Sequence, residues 1–360
     1  MGLGHFGGGL GVTKWLLAQG AKVLLTDIAS ENELELQLAE LGTHPSLKTV
    51  LGEHRIEDFK NADVVVVNPA VPKPWENIYL RVAWDANVKV TTEIELLVGQ
   101  LDRKRVIGVT GSCGKSTTAA MIHAALIESG ITSHLGGNIG GSLLNKIDTI
   151  SPKDVVVLEL SSAMLWWLNK SGGWSPSVGV ITNIEPNHID WHGSFEEYKK
   201  CKELLFKHQK EGEISLRQDP LATFDGLKVL GKHNEQNASV ALSAAIAMGA
   251  NSDRARSGIE NFNGLQHRLQ FVCDGVYNDS KSTIPSATKL AVDSFENPSK
   301  LHLIVGGYDK KNDLSLLAEQ AKRVSCLYAI GETKDSIFNL ARKNVFCFES
   351  LDEAIIDASK

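Results

Sequence analysis

No apolar run in this 360-residue chain approaches the roughly 20 residues that a membrane-spanning helix needs, so no bilayer span and no membrane partner are expected. The opening residues lack a basic stretch followed by an apolar one, which argues against a secretory leader and makes a cytoplasmic location the expectation. Cysteine is sparse. The five present (Cys113, Cys201, Cys273, Cys326, Cys347) show no CxxC spacing, so neither a zinc site nor a disulfide framework is expected. Positive charge is in deficit, with 37 Lys and Arg against 43 Asp and Glu, and a net charge of −6 argues against nucleic acid as a partner. Anionic small ligands must then be held by local devices. Apolar content of 42% and charged content of 22% are those of an ordinary globular chain, and the length exceeds what one core normally serves, so two or three domains are expected.

What is present is glycine in revealing places. Residues 109–118 read VTGSCGKSTT, a turn flanked by Gly111 and Gly114, following an apolar run and preceding an Ala-rich helical stretch at 116–128. Backbone N–H groups of Gly111, Ser112, Cys113 and Gly114 can curl round phosphate oxygens, Lys115 adds a positive charge, and Ser116 or Thr117 can ligate Mg²⁺. ATP is the expected ligand. Val109 stands where the usual G-x-x-x-x-G-K-[ST] pattern has its first glycine, so the strand-turn-helix context carries the reading. The bland alternative is a Gly-rich turn with a solvated lysine.

Further glycines open the chain: Gly2-x-Gly4-x-x-Gly7, with Asp27 ending the next apolar run, matches the dinucleotide fingerprint. Glycines before a helix bind any diphosphate, so an NAD-binding oxidoreductase and a UDP-sugar site are both admissible here. Met1 sits directly before the first glycine, and the strand that should feed this turn is expected to be absent. Apolar runs at 22–25, 63–67, 155–160, 178–182, 301–305 and 327–330 alternate with helical patterns at 11–19, 31–41 and 235–248. That alternation predicts an α/β fold of three domains: a Rossmann-like domain over 1–101, a phosphate-loop parallel-sheet domain over 102–229, and a second Rossmann-like domain over 230–360.

Three more side chains stand at strand ends or on an aimed helix face. Glu159 closes the 155–159 run, where open α/β sheets collect ligands, and suits Mg²⁺ beside a nucleotide. His188 follows the 178–182 run as a candidate for a second metal. Ser194-Phe-Glu-Glu197 is a capping box, which starts a helix on which Tyr198 and Lys202 share a face. Each also has a plain reading, as a solvated carboxylate, a structural loop histidine and a basic helix face.

Taken in order, residues 110–117 (TGSCGKST), 158–162 (LELSS), Thr182-Asn183 through His188, Tyr198 with Lys202, Gly231-Lys-His-Asn234 with Asn237, His267-Arg268, 278–283 (NDSKST) and 306–310 (GGYDK) resemble the Mur ligase family. The last two motifs resemble its D-glutamate-adding members most. The resemblance covers almost the whole chain. It implies an ATP-dependent amide ligase of peptidoglycan synthesis that uses UDP-N-acetylmuramoyl-L-alanine and D-glutamate, with two Mg²⁺ ions and an acyl-phosphate intermediate. Ser116 and Glu159 are then implied for one ion, and His188 with a CO₂-derived carbamate on Lys202 for the other. Asn234, Asn237, Arg268 and Asp279 are implied for the nucleotide, and Asn138 for the muramoyl group. Lys281, Thr283 and Lys310 are implied for D-glutamate, and Gly4, His5, Phe6, Asp27, Asn68 and Pro69 for UDP. A monomer is expected. Departures from the family pattern are Cys113 in place of an Asn and Ala163-Met164 in place of Phe-Gln, neither of which removes an implied ligand, a short 210–228 segment, and an early end at Lys360, which predicts an incomplete amino-acid site. A folylpolyglutamate-synthase-like ligase, an NAD-binding oxidoreductase and a non-catalytic ATP-binding fragment are the alternatives.

Overall fold

The structure, a computed structural model, describes every residue except 5, 6, 219–221, 225, 283 and 310–312. The chain divides into two compact units, Met1–Ala222 with Asn237–Ile259, and Thr223–Gln236 with Glu260–Lys360. Both are α/β, as the alternating pattern predicts.

In the first unit, β1 (Val23–Asp27) pairs in parallel with β2 (Leu47–Leu51), and β3 (Val64–Val66) with β4 (Lys89–Thr91). The two pairs are separate ribbons, and Met1–Leu3 lies between them. Gly2 N donates to Thr26 O at 2.9 Å, the Met1 ammonium donates to Val66 O at 2.8 Å, and Met1 O accepts from Asn68 N at 3.0 Å. This short run thus makes strand-like bonds to both ribbons. Leu3 is fully buried with Leu10, Leu25 and Leu34.

The centre of this unit is a five-stranded parallel sheet in the order β6 (Ser133–Gly137), β7 (Val155–Glu159), β5 (Val106–Thr110), β8 (Val178–Ile181), β9 (Ile214–Arg217). Every residue of β5, β7 and β8 is buried, which is why these strands read as unbroken apolar runs instead of alternating ones. Order reversal on either side of β5 opens a crevice at the carboxyl ends of β5, β7 and β8, the usual ligand position in such sheets. The short 210–228 segment supplies the edge strand β9.

In the second unit, β10 (Gln270–Cys273) and β11 (Val276–Asn278) form an antiparallel hairpin, and β12 (His302–Gly306), β13 (Cys326–Ile330) and β14 (Val345–Phe348) form a parallel sheet. Its core gathers Val292, Val305, Leu327, Ala329, Ile337 and Val345.

Candidate active site

The sequence folds into a phosphate loop because two glycines permit it. Gly114 caps the helix Lys115–Glu128 with φ +81°, a left-handed conformation that costs a side-chain-bearing residue about 1–2 kcal/mol. A Cβ on Gly111 would lie 1.9 Å from Thr182 Oγ1. The loop between them is held from β8. Thr182 Oγ1 donates to Cys113 O at 2.6 Å, Asn183 Oδ1 accepts from Cys113 N at 2.8 Å, and Ser112 N donates to Asn183 O at 2.9 Å. Ser112 Oγ donates to Glu185 O at 2.9 Å and meets Tyr198 OH at 2.9 Å. Thr182 and Asn183 stand in the sequence as motif letters only, and Tyr198 as the face-mate of Lys202; the work of all three in shaping the loop appears in the folded chain.

Lys115 Nζ donates to Ser112 O at 2.9 Å, and Ser116 is buried at the start of the helix with Thr117 half-buried beside it. Glu159 pairs with Val109 across the β5–β7 ladder and is 1% exposed. Its Oε1 accepts from Asn138 Nδ2 at 2.9 Å, while its Oε2 is buried and accepts no hydrogen bond among the described residues. A buried carboxylate oxygen without a partner is costly, so this atom calls for a cation.

Lys202 is also 1% exposed, on the helix Phe195–Lys207 that Ser194 caps through a 3.2 Å bond from Glu197 N. Its Nζ donates to Gly111 O at 2.7 Å, and lies 4.6 Å from the centre of the Tyr198 ring. Burial, and next the charge of Lys115, hold this amine well below the ordinary lysine range, against a smaller opposing pull from Glu159. The capping box thus aims a lysine at the phosphate loop instead of at solvent. His188 is exposed, with φ +51°, and its ring centre lies 6.2 Å from that of Tyr198, so His188 and Lys202 flank the same ring. Among the described residues, no group of three His, Cys, Asp or Glu is placed to hold a metal. The hard donors at the loop, a buried hydroxyl on Ser116 and the unmatched Glu159 oxygen, nonetheless fit Mg²⁺ accompanied by phosphate oxygens.

Asn237 is 1% exposed, and its Oδ1 accepts from Gln218 Nε2 at 3.0 Å, close under Gly114. At the N-terminal turn, Asp27 Oδ2 accepts from Leu3 N at 2.7 Å and Oδ1 from Ala29 N at 2.9 Å, so this carboxylate shapes the turn. Gly2 and Gly4 face Asn68, whose Oδ1 accepts from Ala70 N across Pro69. His5 and Phe6 lie outside the described residues.

In the second unit, Asn234 is 6% exposed and its Nδ2 donates to Leu230 O at 2.6 Å. Asp279 Oδ1 accepts from Leu269 N at 2.9 Å, and Lys281 N donates to His267 O at 3.1 Å. The residues around Arg268 are thereby drawn against the 278–281 turn. Thr283 and Lys310 lie outside the described residues.

Comparison with known proteins follows these features. The Mur ligase middle domain family matches residues 109–224. The UDP-N-acetylmuramoylalanine–D-glutamate ligase of Roseiflexus sp. (strain RS-1) is 33% identical over 92% of this chain and 82% of its own length. The ligase of the same name from Borreliella burgdorferi (strain ZS7) is 32% identical over 100% and 89%. Among solved structures, the UDP-N-acetylmuramate-alanine ligase MurC of Thermotoga maritima superposes with a TM-score of 0.62 at 19% identity, covering 98% of this chain and 90% of that one, which speaks for the fold. The folylpolyglutamate-synthase and NAD-dependent readings give way to this pattern. With the phosphate loop, Glu159 and Lys202 assembled in one crevice and a third of all residues shared along nearly the full chain, the protein belongs to the Mur ligase family, on its UDP-N-acetylmuramoylalanine–D-glutamate ligase branch.

Proposed function

We propose that the chain joins D-glutamate to UDP-N-acetylmuramoyl-L-alanine at the expense of ATP, as its relatives are named for doing. The γ-phosphoryl group passes to the carboxylate of the lactoyl-L-alanine arm, its bond to the bridging oxygen of the β-phosphate breaking to leave ADP. The D-glutamate amine then attacks the acyl carbon, a C–N bond forms, the C–O bond to phosphate breaks, and the amine loses a proton. Phosphoryl transfer needs positioning and charge neutralisation above all. The observation that carries the reading is the convergence on one loop of Lys115, buried Ser116, the partnerless Glu159 oxygen and buried Lys202.

Lys115 neutralises the transferring phosphate, and the N–H groups of residues 111–114 cradle its neighbours. Ser116 and Glu159 would hold one Mg²⁺, and His188 with a carbamylated Lys202 would hold a second. Mg²⁺ bound there would supply neutralisation of the charge that develops in phosphoryl transfer. Lys202 supports the carbamate because its amine is buried and held toward the neutral form, the form that adds to CO₂ with loss of a proton. Asn234, Asn237, Arg268 and Asp279 serve the nucleotide. Lys281, Thr283 and Lys310 serve D-glutamate, and Gly4, His5, Phe6, Asn68 and Pro69, with Asp27 holding their turn, serve UDP. The division into domains at 1–101, 102–229 and 230–360, a monomeric state and a cytoplasmic location belong to the same reading. Among the described residues no helix is long and apolar enough to cross a membrane.

The test is phosphate release with ATP, Mg²⁺, bicarbonate and UDP-N-acetylmuramoyl-L-alanine, comparing D-glutamate, L-glutamate and no amino acid. Release that requires D-glutamate and disappears in Lys115→Ala supports the reading. ATP binding without release would leave a nucleotide-binding chain with no ligase activity.

A further inference from the structure

The residue that the family resemblance assigns to the muramoyl group, Asn138, also bonds to Glu159. Strand β6 ends in Gly136-Gly137, and Gly137 pairs with Glu159 at the end of β7 with φ +90°. A Cβ at Gly137 would stand 2.3 Å from Glu159 O. Only glycine lets β6 run this close to β7 and then turn, and the turn delivers Asn138. Its backbone N donates to Glu159 O at 2.8 Å and its side-chain Nδ2 donates to Glu159 Oε1 at 2.9 Å. Asn138 therefore grips residue 159 at main chain and side chain together. One carboxylate oxygen is fixed, and the other, Oε2, is left buried and without a hydrogen bond among the described residues.

From this geometry we infer that Asn138 is a positioning residue for the cation site: it fixes the rotation of the Glu159 carboxylate so that Oε2 alone is presented to the ion that accompanies the nucleotide. The inference rests on the ATP-binding reading above. A neutral amide suits the task because it donates without adding a competing charge, and because its short side chain, fixed through the adjacent main-chain bond, has little freedom to let Oε1 turn. Removing the amide leaves two buried, unmatched oxygens, and the carboxylate then turns to whatever donor it can reach.

Binding of Mn²⁺ in place of Mg²⁺, followed by electron paramagnetic resonance with a non-hydrolysable ATP analogue and no muramoyl substrate, isolates this role from substrate contact. Asn138→Ala is expected to weaken Mn²⁺ uptake about 10–100-fold, the usual effect of removing a group that orients a metal ligand. Glu159→Gln is expected to weaken it at least as much. Affinity for the analogue in EDTA, unchanged in Asn138→Ala, shows that the variant is folded. If Asn138→Ala takes up Mn²⁺ as the unaltered chain does, while its KM for UDP-N-acetylmuramoyl-L-alanine rises, the inference is overturned and Asn138 is a substrate contact. If the unaltered chain itself takes up no Mn²⁺ with the analogue, the nucleotide reading falls first and this inference with it.

Discussion

Gly114 shows at the scale of one residue how the loop depends on a missing side chain. In Gly114→Ala the left-handed φ of +81° costs about 1–2 kcal/mol, and the new Cβ would lie 2.6 Å from Asn237 Oδ1. The expected outcome is a lower urea midpoint together with at least a tenfold loss in ATP affinity by titration calorimetry. Adding Asn237→Ala relieves the clash but not the dihedral, so the double variant should recover part of the stability. An unaltered ATP affinity in Gly114→Ala would mean that this loop is not the phosphate site.

His192 makes a second prediction at this scale. Its Nε2 lies 2.9 Å from Ser162 Oγ and it is 5% exposed, bridging the segment after β8 to the helix after β7. Burial first, then the charges of His188 and Lys202, lower its pKa to about 4. An unfolded histidine titrates near 6.5, so between these values the unfolded chain binds a proton that the folded chain refuses. Stability is then constant above about pH 6.5 and falls as pH drops toward 4, by about 2 kcal/mol between pH 7.5 and pH 5. His192→Gln, which keeps an amide for Ser162, should flatten that part of a urea-midpoint profile against pH. A profile of equal slope in the variant would assign the loss to other groups.

At the scale of elements, the helix Phe195–Lys207 carries Tyr198 and Lys202, so its cap has functional weight. Ser194→Ala removes the acceptor for Glu197 N and should cost about 1 kcal/mol. Because the helix positions the Lys202 amine, the carbamate signal in ¹³C-bicarbonate NMR should weaken with it and vanish in Lys202→Arg. A full signal in Lys202→Arg would place the label on another amine.

The same element shows why part of the fold was legible. Ser194-Phe-Glu-Glu197 announces its own start, and β5, β7 and β8 announce burial on both faces by unbroken apolar runs. Strand β6 does not: its sequence SHLGG ends in two glycines chosen for close approach to Leu143 and to Glu159 O, which a propensity reading takes for a turn. Likewise β9, with its partly exposed alternation ISLR at a sheet edge, is weak as a pattern and is fixed by pairing with β8. In the site, Lys115, Ser116 and Glu159 stood out as charged or hydroxyl groups at element ends, and Lys202 as a lysine on an aimed helix face. The duties of Thr182, Asn183 and Asn138 lie in bonds between strands distant in sequence, which no local pattern records.

For the whole molecule, two units with separate cores predict two unfolding transitions. Val106, Leu158 and Ile181 belong to the core beneath the phosphate loop, whereas Leu327, fully buried, belongs to the core of the second sheet. Leu327→Ala removes buried methyl groups there and should cost about 2–5 kcal/mol. In calorimetry it should lower one transition and leave the other in place. Adding Mg²⁺ and an ATP analogue at about 100 times Kd should raise the transition that Leu327→Ala spares, by about 2.7 kcal/mol, since ligand binding to the folded form alone stabilises it by mass action. A single transition that moves as one under both changes would show that the two cores unfold cooperatively. A rise confined to the transition that Leu327→Ala lowers would place nucleotide binding on the second unit and remove the phosphate loop from the site.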